Sequence, residues 1–322
     1  MSDKEVERLV TNVMRAIKAE NEAAERTDAT VLSLGDKVTL TSRELRHLRA
    51  ALLRTAVHRL SSAITSTSFA FPMFATETGI WMKFDGVWLR CDVDAYYMRY
   101  SSDAQSLGHK INAFLSKHAI CPKAILDIGA NQGEVAMWFC TRYPAARVIA
   151  FEASSATFDI LKSNVNMPLQ EFPNLEIVKL AVANFDGTLE FSIGKGTQNS
   201  FVLEAGDKET ETVQCKRLTT LWDELHLDKA EFVKIDVEGA EPLLTDDIGA
   251  VGSNIRSAMV EYSSKSTSEN YRRLTETFFR IGFHAEWEGK TYLSAESLSA
   301  ALEEIVFIKN GAVDVFYIRP TI

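Results

Sequence analysis

The stretch AILDIGANQGEVAMWF, Ala124 to Phe139, decides the fold of this chain. An apolar run leads into Asp127, two glycines follow at Gly129 and Gly133, and the pattern then takes a helical period through Val135, Trp138 and Phe139. Those changes of period predict a strand, a tight turn and a helix. A second apolar run, Arg147 to Phe151, stops on Glu152, 25 positions after Asp127. Together they make one strand-helix-strand unit with an acid at the end of each strand.

Such a turn holds nucleotide-like cofactors. Glycine lets the backbone pass close to a ligand, and the following helix points free N–H groups at the same place. Charge discriminates among the ligands. A dinucleotide lays its pyrophosphate over the turn, where the carboxylate of Asp127 would repel it, whereas S-adenosylmethionine brings an ammonium. The spacing agrees: Gly129 and Gly133 form G-x-x-x-G around Ala130 and Asn131, not the G-x-G-x-x-G of a dinucleotide site. Glu152, with Ala153 beside it, is placed to meet ribose hydroxyls in either cofactor.

Further along stand LAVANFDGTLEF from Leu180, FVKIDVEGAEP from Phe232 and MVEY from Met259. With DIGANQG, AFEAS and above all KIDVEGAE at Lys234 to Glu241, the chain resembles the FkbM family of S-adenosylmethionine-dependent O-methyltransferases over roughly residues 121 to 262. The resemblance implies a Rossmann-like class I methyltransferase fold. Its sheet would have seven strands in the order 3-2-1-4-5-7-6, mostly parallel, with the last strand antiparallel. It also implies a hydroxyl acceptor on a sugar, glycolipid or secondary metabolite, and matches Asn199 and Ser200 to a substrate-side serine.

Composition fits one α/β domain plus an extension. With 322 residues, 46% hydrophobic and 25% charged, the chain can bury a full core. Residues 1–120 carry a formal charge of +2 and residues 121–322 one of −11, which argues against nucleic acid or an anionic membrane as partner and suits a neutral or cationic small-molecule or glycan acceptor. Cys91, Cys121, Cys140 and Cys215 stand too far apart for a zinc motif and read as free thiols. The polar start, MSDKEVERLV, and the lack of a long apolar run point to a cytoplasmic protein with no membrane span.

Residues 1–118 read as a helical and β-hairpin extension, and residues 119–322 as the Rossmann-like domain. A capping box at Ser2 and Glu5 opens a helix with Val6, Leu9, Val10, Val13 and Ile17 on one face. That face covers either the catalytic domain or a second copy of the chain, so a homodimer through the N-terminal helices is one option. A second helix sets Leu45, Leu48, Leu52, Ala56 and Leu60 against an arginine-rich face. Asp85-Gly86 between WMKF and VWLR signals a hairpin, part of an aromatic ribbon that could serve as a substrate lid. Ser102 to His118 then reads as a helix with Leu107, Ile111, Phe114 and Leu115 inward.

In the core, Leu175 to Ala183 reads as the third strand, with Ala181 and Val182 placed for an adenine ring, and Phe232 to Val237 as the fourth. Lys234 and Asp236, two apart on that strand, point to one face, where a buried charge must be paired or used. They form either an ion pair or part of the chemistry. Asp236 ends the strand where open α/β sheets bind ligands and is the first choice for general base or orienter, with Glu238 or Glu261 assisting. Glu241 before Pro242 reads as a structural acid at a helix start. Asp236 and Glu261 could hold Mg²⁺, but two acids make a sparse site and the metal is not favoured. The rival readings are an NAD-linked oxidoreductase and a cofactor-binding module without catalysis.

Overall fold

The computed structural model describes residues 32–33, 39–40, 73–76, 79–84, 86–90, 107–192 and 210–320. The two N-terminal helices and the Asn199–Ser200 segment expected from the sequence lie outside them. Two compact units emerge, one of Met1–Ser106 with Met167–Gln170 and one of Leu107–Asn166 with Glu171–Ile322.

In the first unit, β1 (Leu32–Ser33) and β2 (Thr39–Leu40) pair antiparallel. β3 (Met73–Thr76), β4 (Gly79–Phe84) and β5 (Val87–Arg90) form an antiparallel meander. The expected hairpin is present: Phe84 faces Val87 across the turn, and Gly86 takes φ 92°, a conformation open to glycine. Trp81, Met82, Val87 and Leu89 are buried. Gln170 serves β5 as a partner strand would, accepting from Trp88 N–H at 2.8 Å and donating to Trp88 O at 3.0 Å.

The second unit runs α1 (Leu107–Lys117), β6 (Ala124–Ile128), α2 (Glu134–Arg142), β7 (Arg147–Glu152), α3 (Ser155–Val165) and β8 (Leu175–Lys179). β9 (Ala181–Ala183), β10 (Gly187–Ser192), β11 (Thr210–Arg217), α4 (Leu218–Glu224) and β12 (Phe232–Ile235) follow. The unit closes with α5 (Thr245–Val251), β13 (Ser257–Ser263), α6 (Ser268–Arg280), β14 (His284–Trp287), β15 (Lys290–Tyr292), α7 (Ala295–Leu302) and β16 (Ala312–Ile318).

The main sheet has the order β15-β14-β16-β13-β12-β6-β7-β8. Strands β8, β7, β6, β12 and β13 pair parallel, and β16 runs antiparallel between β13 and β14. Read without β15, a short hairpin return from β14, this is the expected 3-2-1-4-5-7-6 sheet of the Rossmann-like class I methyltransferases. Strand alternation builds two cores. Ile125, Val148, Ala150 and Phe232 face Phe114, Phe139 and Leu161 from α1 to α3 on one side. Leu126, Ile149, Val233 and Val260 face Leu221, Ile248 and Phe278 from α4 to α6 on the other. Strands buried on both faces are nearly continuous apolar runs for this reason.

Two boundaries differ from the sequence expectation. The stretch 175–183 is not one strand: β8 stays in the main sheet, while β9 leaves it to pair with β11 in a separate sheet of order β10-β11-β9. The switch falls at Leu180, whose N–H still bonds Glu152 O at 3.0 Å. The fourth strand ends at Ile235, not Val237, because Val237 N–H turns away to the side chain of Glu241.

Candidate cofactor and methyl-transfer site

The turn after β6 is built by backbone hydrogen bonds to the end of β7. Gly129 and Ala130 N–H both donate to Phe151 O, at 3.0 and 2.8 Å. Gly129 takes φ 81°, and a Cβ on it would stand 1.8 Å from Asp236 O. No other residue fits between β6 and β12 there. Asn131 is also left-handed, at φ 52°, and donates its N–H to Glu152 Oε2 at 2.9 Å. The other oxygen, Glu152 Oε1, accepts Ser154 N–H at 2.9 Å. Gly133, at φ 85°, starts α2 against Leu161. Burial pushes the Glu152 carboxyl up to about 7, although both N–H bonds and Lys234 pull it down.

Lys234 organises the floor of the site. It is 3% exposed, and its Nζ donates to Gly129 O at 2.9 Å while lying 3.2 Å from Asp127 Oδ1 and 3.3 Å from Asp236 Oδ2. The ion pair foreseen between Lys234 and Asp236 is therefore present, and Asp127 is its third member. This alters the part first given to Asp127. Its carboxylate is wholly buried under the turn beside Lys234, so a direct meeting with a cofactor ammonium is not what the geometry provides. Burial raises the Asp127 carboxyl and the lysine opposes it. Burial also works against the Lys234 charge, but the two carboxylates outweigh it and hold its pKa above the ordinary value. Two carboxylates share one ammonium, so the triplet keeps a net charge of −1, and its accessible member is Asp236, with a side chain 26% exposed.

Beyond Asp236 the chain bends sharply. Glu238 takes φ 57° and Gly239 φ 98°, and the Glu238 carboxylate pairs with Lys265. Non-glycine residues held at positive φ concentrate at functional sites, and Asn131 and Glu238 are both at this edge of the sheet. Glu241 is fully buried and accepts from Val237 and Gly239 N–H and from Tyr271 O–H, which agrees with the structural role expected of it.

Glu261 on β13 faces Asp314 on β16 in register. Burial, then the charges of Asp236, Glu241, Glu238 and Asp314, raise the Glu261 carboxyl. Oxygens of Asp236, Glu241 and Glu261 lie within 4.8 Å of one another. Glu241 already spends both oxygens on protein donors, so only Asp236 and Glu261 remain to a cation, and Mg²⁺ gains no support from them.

Ala153 and Ala181 lie together in a small apolar cluster with Phe191 and Cys215. Val182 packs instead into the main core, so only its backbone can serve a ligand. Sequence reasoning missed Asp314, Lys265 and Tyr271. Asp314 carried a signal, an acid alternating with Phe316 on a buried strand. Lys265 and Tyr271 find their partners only through the fold.

S-adenosylmethionine, the cofactor implied by this fold, presents an ammonium and two ribose hydroxyls. Outside the Asp127–Lys234 pair, the buried side-chain atoms at the turn that lack a hydrogen bond among the described residues are Asn131 Oδ1 and Gln132 Oε1, both acceptors. Acceptors of this kind suit a ligand that brings N–H or O–H donors.

Residues 127–272 match the family model described as the Methyltransferase FkbM domain. Methyltransferase sdnD of Sordaria araneosa is 26% identical over 36% of this chain and 57% of its own length. Methyltransferase 1 of Beauveria bassiana (strain ARSEF 2860) is 28% identical over 36% of this chain and 55% of its own. The chain thus spans little more than half the length of these relatives. The crystal structure of methyltransferase FkbM from Methylobacillus flagellatus KT overlays with a TM-score of 0.38 at 12% identity, covering 61% of this chain and 43% of that one.

Proposed function

We propose that this chain, which carries an FkbM methyltransferase domain at residues 127–272, transfers a methyl group from S-adenosylmethionine to a hydroxyl oxygen. The observation that carries the reading is a pair of buried acceptors without partners at the turn, Asn131 Oδ1 and Gln132 Oε1, beside the Asp127–Lys234–Asp236 triplet of two acids on one ammonium, a setting suited to a cationic, hydroxyl-bearing cofactor. Bound there, the cofactor supplies a sulfonium methyl whose leaving thioether needs no proton.

The protein's work is then alignment and removal of the acceptor proton. Asp236, the accessible acid of the triplet, is assigned as base or orienter. Lys234, 3.3 Å from its Oδ2, holds it in place. Glu238 and Glu261 flank it as assisting acids. Glu152 is assigned to the ribose hydroxyls, with Gly129, Ala130, Asn131 and Gly133 forming the cofactor turn. Ala153, Ala181 and the Val182 backbone are the side assigned to adenine.

The family likeness favours a sugar, glycolipid or secondary-metabolite hydroxyl as acceptor, and the acidic half of the chain favours a neutral or cationic molecule. Incubation with methyl-labelled cofactor and a panel of hydroxylated acceptors tests the reading. Label in an ether product with stoichiometric S-adenosylhomocysteine supports it. Label on nitrogen or carbon only would reject the oxygen as the methylated atom.

A further inference from the structure

Glu241 is buried completely, yet donors from two separate elements take both of its oxygens. Oε1 accepts Val237 N–H at 2.8 Å and Gly239 N–H at 3.2 Å. Oε2 accepts Gly239 N–H at 3.1 Å and Tyr271 O–H at 2.6 Å. The Tyr271 oxygen in turn accepts Ser263 N–H at 3.3 Å. Ser263 is the last residue of β13, and Tyr271 lies in the first turns of α6. A continuous run of hydrogen bonds therefore leads from the end of β13, through one phenol and one carboxylate, to the loop that follows Asp236.

That loop needs an outside hold. Glu238 and Gly239 are both left-handed, and a non-glycine residue in this region costs on the order of 1 kcal/mol or more. Conformations of this kind persist only where surrounding contacts over-determine them. Here those contacts are the two amides on Glu241 and the Glu238–Lys265 pair.

We propose that Tyr271 is a positioning residue for the methyl-transfer site: through Glu241 it fixes the Val237–Gly239 loop and so the aim of Asp236 and Glu238. The proposal rests on reading this mouth as the site of methyl transfer. A tyrosine buried for packing alone needs some acceptor, but this one binds the same carboxylate that gathers the amides on either side of Glu238. Its ring is separately accounted for by stacking on Tyr262, with centroids 4.7 Å apart.

The electrostatics agree. Burial pushes the Glu241 carboxyl up to about 7, with the Tyr271 hydrogen bond foremost among the contacts holding it down. The titratable groups around it are Asp236 from its own loop, Glu261 and Tyr262 from β13 and Tyr271 from α6. Loss of the phenol hydroxyl therefore lets Glu241 take up a proton at higher pH, and a protonated carboxyl gives up part of its grip on the two amides.

Tyr271→Phe keeps the ring and deletes only the hydroxyl. Hydrogen exchange on the full chain should show protection of the Val237 and Gly239 amides falling at least about tenfold, as expected for one lost hydrogen bond to a charged group. Protection of Ile235 and Met259 in the sheet should hold, and the pH at which the loop amides lose protection should move upward. A purely structural tyrosine would lower all of these together and leave that pH unmoved. Should Tyr271→Phe fail to fold, Glu241→Gln serves, with the same selective loss expected and no acid-side transition left. Unchanged protection of Val237 and Gly239 in the variant that folds overturns the proposal. S-adenosylhomocysteine binding to the unaltered chain is measured alongside. Its absence would defeat the cofactor reading, while the exchange result still decides the clamp.

Discussion

Lys234 Nζ and Asp127 Oδ1 stand 3.2 Å apart in an ion pair with side-chain exposures of 4% and 0%. The two residues are on neighbouring strands, in register across β12 and β6, at the root of the glycine turn. Removing one partner leaves the other charge buried and alone. Lys234→Met should destabilise the protein by about 3–5 kcal/mol, and the double variant Lys234→Met, Asp127→Asn should recover a large part of that. Urea denaturation of the three proteins measures both effects, and a double variant no better than the single would refute the pairing.

Asp236 keeps the one carboxylate of the triplet that reaches the mouth. Asp236→Asn should lower methyl transfer by about 10²–10⁴-fold, the range of a lost general base, with S-adenosylhomocysteine affinity kept within a few-fold. Single-turnover assays with labelled cofactor check this. Turnover equal to wild type removes Asp236 from the chemistry.

Glu152 gives a pH dependence whose sign follows from burial. Its folded pKa is raised from an ordinary 4.5 to about 7, so between those values the folded state binds more protons than the unfolded one. Its stabilising contribution is full below about 4.5 and is lost as pH rises through about 7. In the ribose-binding role proposed for Glu152, cofactor binding runs the opposite way, because a carboxylate accepts hydroxyls better than a carboxylic acid does. S-adenosylhomocysteine affinity should therefore climb as pH passes through about 7, and Glu152→Gln should flatten that climb. Calorimetric titration across the range decides it.

Gly129 admits no side chain, because its φ is 81° and a methyl group there would come within 1.8 Å of Asp236 O. Gly129→Ala should cost more than about 3 kcal/mol, since strain and a backbone overlap coincide. Thermal denaturation reads the loss. A variant as stable as wild type would mean that the turn opens freely away from β12.

The sheet was legible in the sequence wherever strands are buried on both faces, because β6, β7, β12 and β13 are mostly apolar runs interrupted chiefly by the charged residues of the site, such as Asp127, Glu152, Lys234 and Glu261. The split between β8 and β9 was not, since Ala181 changes its hydrogen-bonding partner without any change in residue pattern. At the site, the motif residues Asp127, Gly129, Glu152 and Asp236 could be named from spacing. Their mutual arrangement could not: the neutralisation of Asp127 by Lys234 joins residues 107 positions apart, and the Tyr271–Glu241 bond joins a helix to a loop. The acid Asp314 was visible as a break in a buried alternation, although nothing local says that it opposes Glu261.

The central claim is that the turn above the Asp127–Lys234–Asp236 triplet takes a cationic sulfonium cofactor, and paired thermal melts test it most directly. S-adenosylhomocysteine at about 100 times its Kd should stabilise the chain by about 2.7 kcal/mol, with a corresponding rise in Tm, while NAD at the same concentration leaves Tm unchanged. A rise with NAD and none with S-adenosylhomocysteine would contradict the account.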